Sequence, residues 1–92
     1  KRGKMSKKHS YRLTPEKFFF LRSGATVKSL RELAFMMEVI TDDDFKHHAN
    51  EQRNDFANWA RDVFGEQRMA KSLENARDRK EAQIAILKHL IR

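Results

Sequence analysis

A chain of 92 residues with no cysteine and a formal charge of +7 has room for one domain and one modest core, not for a cofactor-binding fold beside a substrate domain. The lack of cysteine excludes a disulfide framework and a thiolate metal site, and no run of about 18 apolar residues is present to span a bilayer. No apolar segment of the secretory type follows the basic start, so the chain reads as cytoplasmic, with no membrane partner.

Residues 1–12 come first and carry most of the charge. Lys1, Arg2, Lys4, Lys7, Lys8 and Arg12 are six cations with no acid among them. Of the 20 lysines and arginines this leaves 14 for the other 80 residues, against 13 acids, so the body is nearly neutral. A short basic block on a neutral body reads as an arm for an anionic partner, whereas a basic face on the body would read as a docking surface. The competing reading is a solubilising tail. Gly3, Ser6 and Ser10 interrupt the block without apolar periodicity, so a disordered, flexible segment is expected. Met5-Ser6-Lys7-Lys8 has the form of a chain start, which would assign Lys1, Arg2 and Lys4 to something upstream. Lys4-Met5-Ser6-Lys7 also looks like a loop of class I aminoacyl-tRNA synthetases; the remaining chain is too short and too helical for the nucleotide-binding fold that loop serves.

Residues 15–28 admit two readings. Thr14-Pro15-Glu16 offers an N-cap, a proline at the first helical position and an early acid, which suits a helix through Leu21. Phe18-Phe19-Phe20-Leu21, a glycine turn at Gly24 and Ala25-Thr26-Val27 suit a small hairpin, the favoured reading.

Helical signals dominate from Ser29 onward. Ser29-x-x-Glu32 is a capping box, and Leu30, Leu33, Ala34, Met37 and Ile40 follow at helical spacing. Phe35, Met36 and Val39 make the opposite side apolar too, so this helix is expected to be the most buried. Thr41 caps a second helix with Asp42, Asp43 and Asp44 in its first turn and Phe45, His48 and Ala49 as its inner stripe. Asn54 caps a third, the strongest amphipathic segment, with Phe56, Trp59, Ala60, Val63 and Phe64 on one face before Gly65 ends it. Met69, Ala70, Leu73 and Ala76 mark a fourth, and Asp78 caps a last one from Ala82 to Ile91. The apolar side of that last helix is wide; a wholly buried face is the leading reading, and a protein partner on residues 82–91 the alternative.

The fold class expected is mainly α: a compact bundle of four or five short helices in one domain over residues 13–92, with a small hairpin near its start. Its core is assigned to Leu30, Leu33, Met37, Phe45, His48, Phe56, Trp59, Val63 and Phe64.

Three arrangements invite a chemical reading. Asp43, His47 and Glu51 stand four residues apart on a helical spacing, but surface ion pairing accounts for that, and no metal is expected. His48 and Asp55 can form a buried tie; as a core histidine bonded to the start of the third helix it needs no nucleophile or substrate pocket, and none can be named. Trp59 could stack a base, yet its neighbours on the same helix face make it a core anchor.

The residues from Phe45 to Gly65, above all Phe45-x-x-His48, Asn54-Asp55-Phe56-x-x-Trp59 and Arg61-Asp62-Val63-Phe64-Gly65, resemble a small, mainly archaeal family of uncharacterised helical domains. In that family a Phe-rich segment and a glycine turn lead into a Ser-Leu-x-Glu-Leu helix, matched by Ser29, Leu30, Glu32 and Leu33. The similarity covers about residues 16–76. It departs at Lys46–Asn50, which is more polar, and at Ala60, which replaces a larger apolar residue. The resemblance implies a cytosolic accessory or appended domain and supplies no activity, cofactor or catalytic residue.

The function expected is a non-enzymatic accessory module whose arm contacts nucleic acid or a ribonucleoprotein without reading sequence. The alternative is a protein interaction domain using an apolar helix face. No catalytic residue, cofactor or small-molecule substrate is expected in either case.

Overall fold

The computed structural model describes residues 13–91, so the expected flexible tail of residues 1–12 lies outside the described residues. Pro15 starts one 3-10 turn, Pro15–Lys17, and no more. Strand β1 (Phe19–Phe20) then pairs antiparallel with β2 (Thr26–Val27), Phe19 opposite Val27 and Phe20 opposite Thr26. The hairpin is therefore the form adopted, with the proline turn leading into it. Between the strands the Gly24 N–H donates to the Leu21 carbonyl at 2.9 Å and the Leu21 N–H to the Ala25 carbonyl at 2.9 Å. Gly24 has φ +100 with open space where a Cβ would stand, so glycine is required there for conformation and not for room.

Five helices follow among the described residues: α1 (Leu30–Val39), α2 (Asp42–His48), α3 (Asp55–Phe64), α4 (Gln67–Asn75) and α5 (Arg79–Leu90). Four of the starts are capped as the sequence predicts. The side-chain oxygens of Ser29, Thr41, Asn54 and Asp78 accept from the backbone N–H groups of Glu32, Asp44, Ala57 and Glu81. The return bond of the Ser29 box is displaced by one residue, since Glu32 Oε1 accepts from the N–H of Lys28 at 2.8 Å. A second such return bond stands at the start of α5, where the Arg77 backbone N–H and then its guanidinium hold the Glu81 carboxyl below its usual value. Gly65 ends α3 in the left-handed region at φ 68, and the Glu66 N–H returns to the Ala60 carbonyl.

Packing of α1 on α5, of α4 on both α3 and α5, and of β2 on α1 builds one core. Its centre is aromatic. Phe56 is fully buried and stacks between Phe19 (5.1 Å) and Phe45 (5.5 Å), while Trp59 meets the edges of Phe19 and Phe64. Leu30, Leu33, Met37, Phe45, His48, Phe56, Trp59 and Phe64 are buried as expected. Val63 is the exception in that set: it is only half-buried, packed at the rim beside the core.

Two helices bury less than their sequences suggest. Phe35 and Val39 on α1 are 73% and 71% exposed, because α5 and β2 cover only the other side of that helix. On α5, Ala82, Ala85 and Ile86 face inward, but Ile84, Leu87 and, at the C-cap, Ile91 are 52%, 42% and 80% exposed, so the wholly buried face is not realised. Contacts with α1 and α4 occupy one arc of α5 and leave its outer stripe to solvent.

Trp59 is buried, and its Nε1–H donates to the Lys17 carbonyl at 2.8 Å, fastening the proline turn to α3. Replacing it with alanine removes ring packing and a tertiary hydrogen bond, at a cost of roughly 3–5 kcal/mol, comparable to the whole stability of so small a domain. Thermal and urea melts of Trp59→Ala are expected to show a largely unfolded chain; a fully folded one would overturn its role as anchor.

Candidate functional site

The one buried polar side chain in the core is that of His48, among the described residues. Its place follows from α2, a helix of seven residues whose inward stripe is Phe45 and His48. Both ring nitrogens find partners on other elements. Nδ1 lies 2.9 Å from Asp55 Oδ2 at the first turn of α3, and Nε2 accepts from the backbone N–H of Arg22 in the hairpin turn at 3.0 Å. A neutral imidazole protonated on Nδ1 satisfies both bonds at once, because it donates to the carboxylate and keeps its Nε2 lone pair for the amide.

The Asp55 carboxylate is fully engaged as well. Arg53 Nε lies 3.1 and 3.2 Å from its two oxygens, and the same guanidinium donates through Nη2 to the His47 carbonyl at the end of α2. Arg22 completes the cluster with a side-chain ion pair to Asp44 at 2.9 Å. The exposed His47 is held below the usual histidine value by partial desolvation first, then by the neighbouring His48, Arg22 and Arg53.

A shallow cleft of about 410 Å³ opens beside this cluster between Phe18, Phe20, Asp55, Trp59, Asp62 and their neighbours. A His–Asp pair at a cleft has the form of the orienting half of a nucleophilic triad, in which the far imidazole nitrogen faces the attacking group. Here that nitrogen is occupied by the Arg22 amide. The arrangement does the chemistry of a tie: it joins the hairpin, α2 and α3 through one buried ring.

Asp43, His47 and Glu51 do not converge. The α2 helix ends at His48, so Glu51 falls in the following loop and the four-residue spacing no longer places it on the same face. Among the described residues no group of three potential metal ligands comes together. Trp59 has its polar atom bonded to Lys17 and its ring in the core, so it is not free to stack on a base. The arm residues Lys1, Arg2, Lys4, Lys7, Lys8 and Arg12 lie outside the described residues. Ile84, Leu87 and Ile91, within the segment 82–91, present the outward apolar stripe of α5.

Sequence reasoning missed the polar residues that close helix ends across the chain. Asn50 donates to the Lys46 and His47 carbonyls and accepts from the Gln52 N–H, which accounts for the polarity of the 46–50 segment. Asn54 does more than cap α3, since its Nδ2 donates to the Leu73 carbonyl near the end of α4. Arg79 donates to the Met37 and Glu38 carbonyls at the end of α1, and Gln83 reaches Ala34 on the same helix. The asparagines stand where a loop must form, which is a local signal, but neither they nor Arg79 and Gln83 on α5 name a partner in the sequence.

Comparison with protein-family models, with curated proteins and with solved structures finds no match for this chain.

Asp55→Ala would leave the buried Nδ1–H of His48 without its acceptor and release Arg53. A loss of about 1–3 kcal/mol is expected. Chemical denaturation checks it, and an unchanged midpoint would show that the tie contributes nothing.

Proposed function

We propose that this chain is a non-enzymatic accessory module whose basic N-terminal arm contacts the phosphates of nucleic acid or of a ribonucleoprotein without reading base sequence. The observation that carries the reading is the placement of charge: six cations in the first twelve residues, and a near balance in the rest. The body supports it by what its arginines already do. Arg22, Arg53, Arg61, Arg77 and Arg79 are each paired with a carboxylate of the body, at Asp44, Asp55, Glu74, Glu81 and Asp42. In this reading phosphate binding is the arm's, and the helical body positions it.

The test is a salt-titrated binding assay with mixed-sequence duplex, comparing the full chain with one in which the six arm cations are glutamine. If about six phosphates are neutralised, log K falls with log salt at a slope near −5, about a thousandfold between roughly 50 and 200 mM salt. The glutamine variant is expected to lose the binding; no binding by either chain would remove nucleic acid as the partner.

A second reading rests on a separate observation, the exposed stripe of Ile84, Leu87 and Ile91 on α5. A module that docks on protein through this face would keep its partner across the same salt range. The double variant Ile84→Asp, Leu87→Asp alters exposed positions, so it is expected to melt as the parent does. Nucleic-acid binding unaffected by it would separate the stripe from the arm, whereas loss of binding with intact folding would make the stripe part of the same interface.

A further inference from the structure

We infer that His48 is a pH-operated latch on the hairpin turn, closed while its imidazole is neutral and released from the Arg22 amide when the ring takes up a second proton. With Nδ1–H directed at Asp55, the second proton has one place to go, Nε2. It then points at the Arg22 N–H, 3.0 Å from that nitrogen, and two donors face each other where a hydrogen bond had been. The ring cannot swing aside to relieve this. Phe19 packs on it at 5.2 Å and Phe56 at 5.5 Å, inside a core where rotation would displace aromatic neighbours.

The charges around the ring decide which side lets go. Asp55 on α3 faces Nδ1 and attracts an imidazolium more strongly than a neutral ring, so the bond between α2 and α3 survives protonation. Arg53 in the preceding loop shares that carboxylate, and His47 on α2 stands edge-on to His48 at 4.8 Å; as cations both oppose the new charge. The hairpin contributes the Arg22 guanidinium, which is paired with Asp44 of α2, and no carboxylate of its own at the ring. Release therefore falls on the turn.

Once the amide bond is gone, the Arg22–Asp44 pair is the polar contact that remains between the turn and α2 among the described residues. That pair is half exposed on the arginine side, where salt screens it. The latch thus carries a double signature: the turn loosens on protonation of His48, and it becomes sensitive to salt only in the protonated state. The element that moves continues into β1, whose phenylalanines wall the cleft beside Asp55 and Trp59.

The test is NMR on the unmodified full chain. Long-range proton–nitrogen spectra of the imidazoles report the tautomer and titration of His48. Hydrogen exchange of the Arg22 amide, expressed as a protection factor corrected for the intrinsic pH dependence of exchange, reports the latch. The expected result is an Nδ1–H tautomer at neutral pH and a drop in Arg22 protection of about tenfold across the titration of His48, the worth of one lost hydrogen bond. Protection of Ala60 inside α3 should stay constant, and added salt should lower Arg22 protection further only below that titration. The same transition should persist in His47→Gln, whose substituted side chain is exposed. An Nε2–H tautomer, an Arg22 protection factor indifferent to the titration, a transition abolished by His47→Gln, or a His48 that binds no proton before the domain unfolds would each overturn the inference.

Discussion

Phe56 lies between two other phenyl rings, Phe19 from the hairpin and Phe45 from α2, and the arrangement of the hairpin, α2 and α3 depends on that stack. Neither β1, two residues long, nor α2, seven residues long, could hold its shape alone in water. Each becomes stable by placing one phenylalanine against a side chain that α3 presents from the opposite direction. The hairpin is thus less a sheet than a way of delivering Phe19 to the core.

The same stack explains why a histidine is tolerated inside. A buried imidazole needs two partners, and the elements brought together by the three rings supply one each: a backbone N–H from the turn and a carboxylate from α3. The Asn54–Trp59 run then divides into structural duties. Asn54 caps α3 and reaches α4, Asp55 binds His48, Phe56 fills the stack, and Trp59 bonds to Lys17. The run is a set of joints between elements too short to stand alone.

The distribution of charge follows the same economy. Arg22, Arg53, Arg61, Arg77 and Arg79 close helix ends or pair with carboxylates nearby, as Arg79 does for α1 and Arg53 for α2. Exposed pairs of this kind add little stability each, yet they commit the cations that would otherwise present a basic face. The exposed apolar residues Ile84 and Leu87 of α5 take no part in these pairs.

Helix starts, the glycine stop of α3, the hairpin and the identity of most core residues were legible in the sequence because each rests on local chemistry: a side chain that accepts from an N–H three residues on, a backbone that needs positive φ, a spacing that puts apolar groups on one face. The candidate site was legible in part, since His48 and Asp55 stand seven residues apart across one short connection. Its third member, the Arg22 amide, was not, because a backbone N–H has no sequence signature and meets Nε2 only when the hairpin folds back over 26 residues. For the same reason apolar periodicity could not say how far α1 and α5 would be covered. Periodicity shows which residues are able to face a core, while the number and direction of neighbouring helices decide that Met37 and Ile86 are buried and that Phe35, Val39, Ile84, Leu87 and Ile91 remain in water.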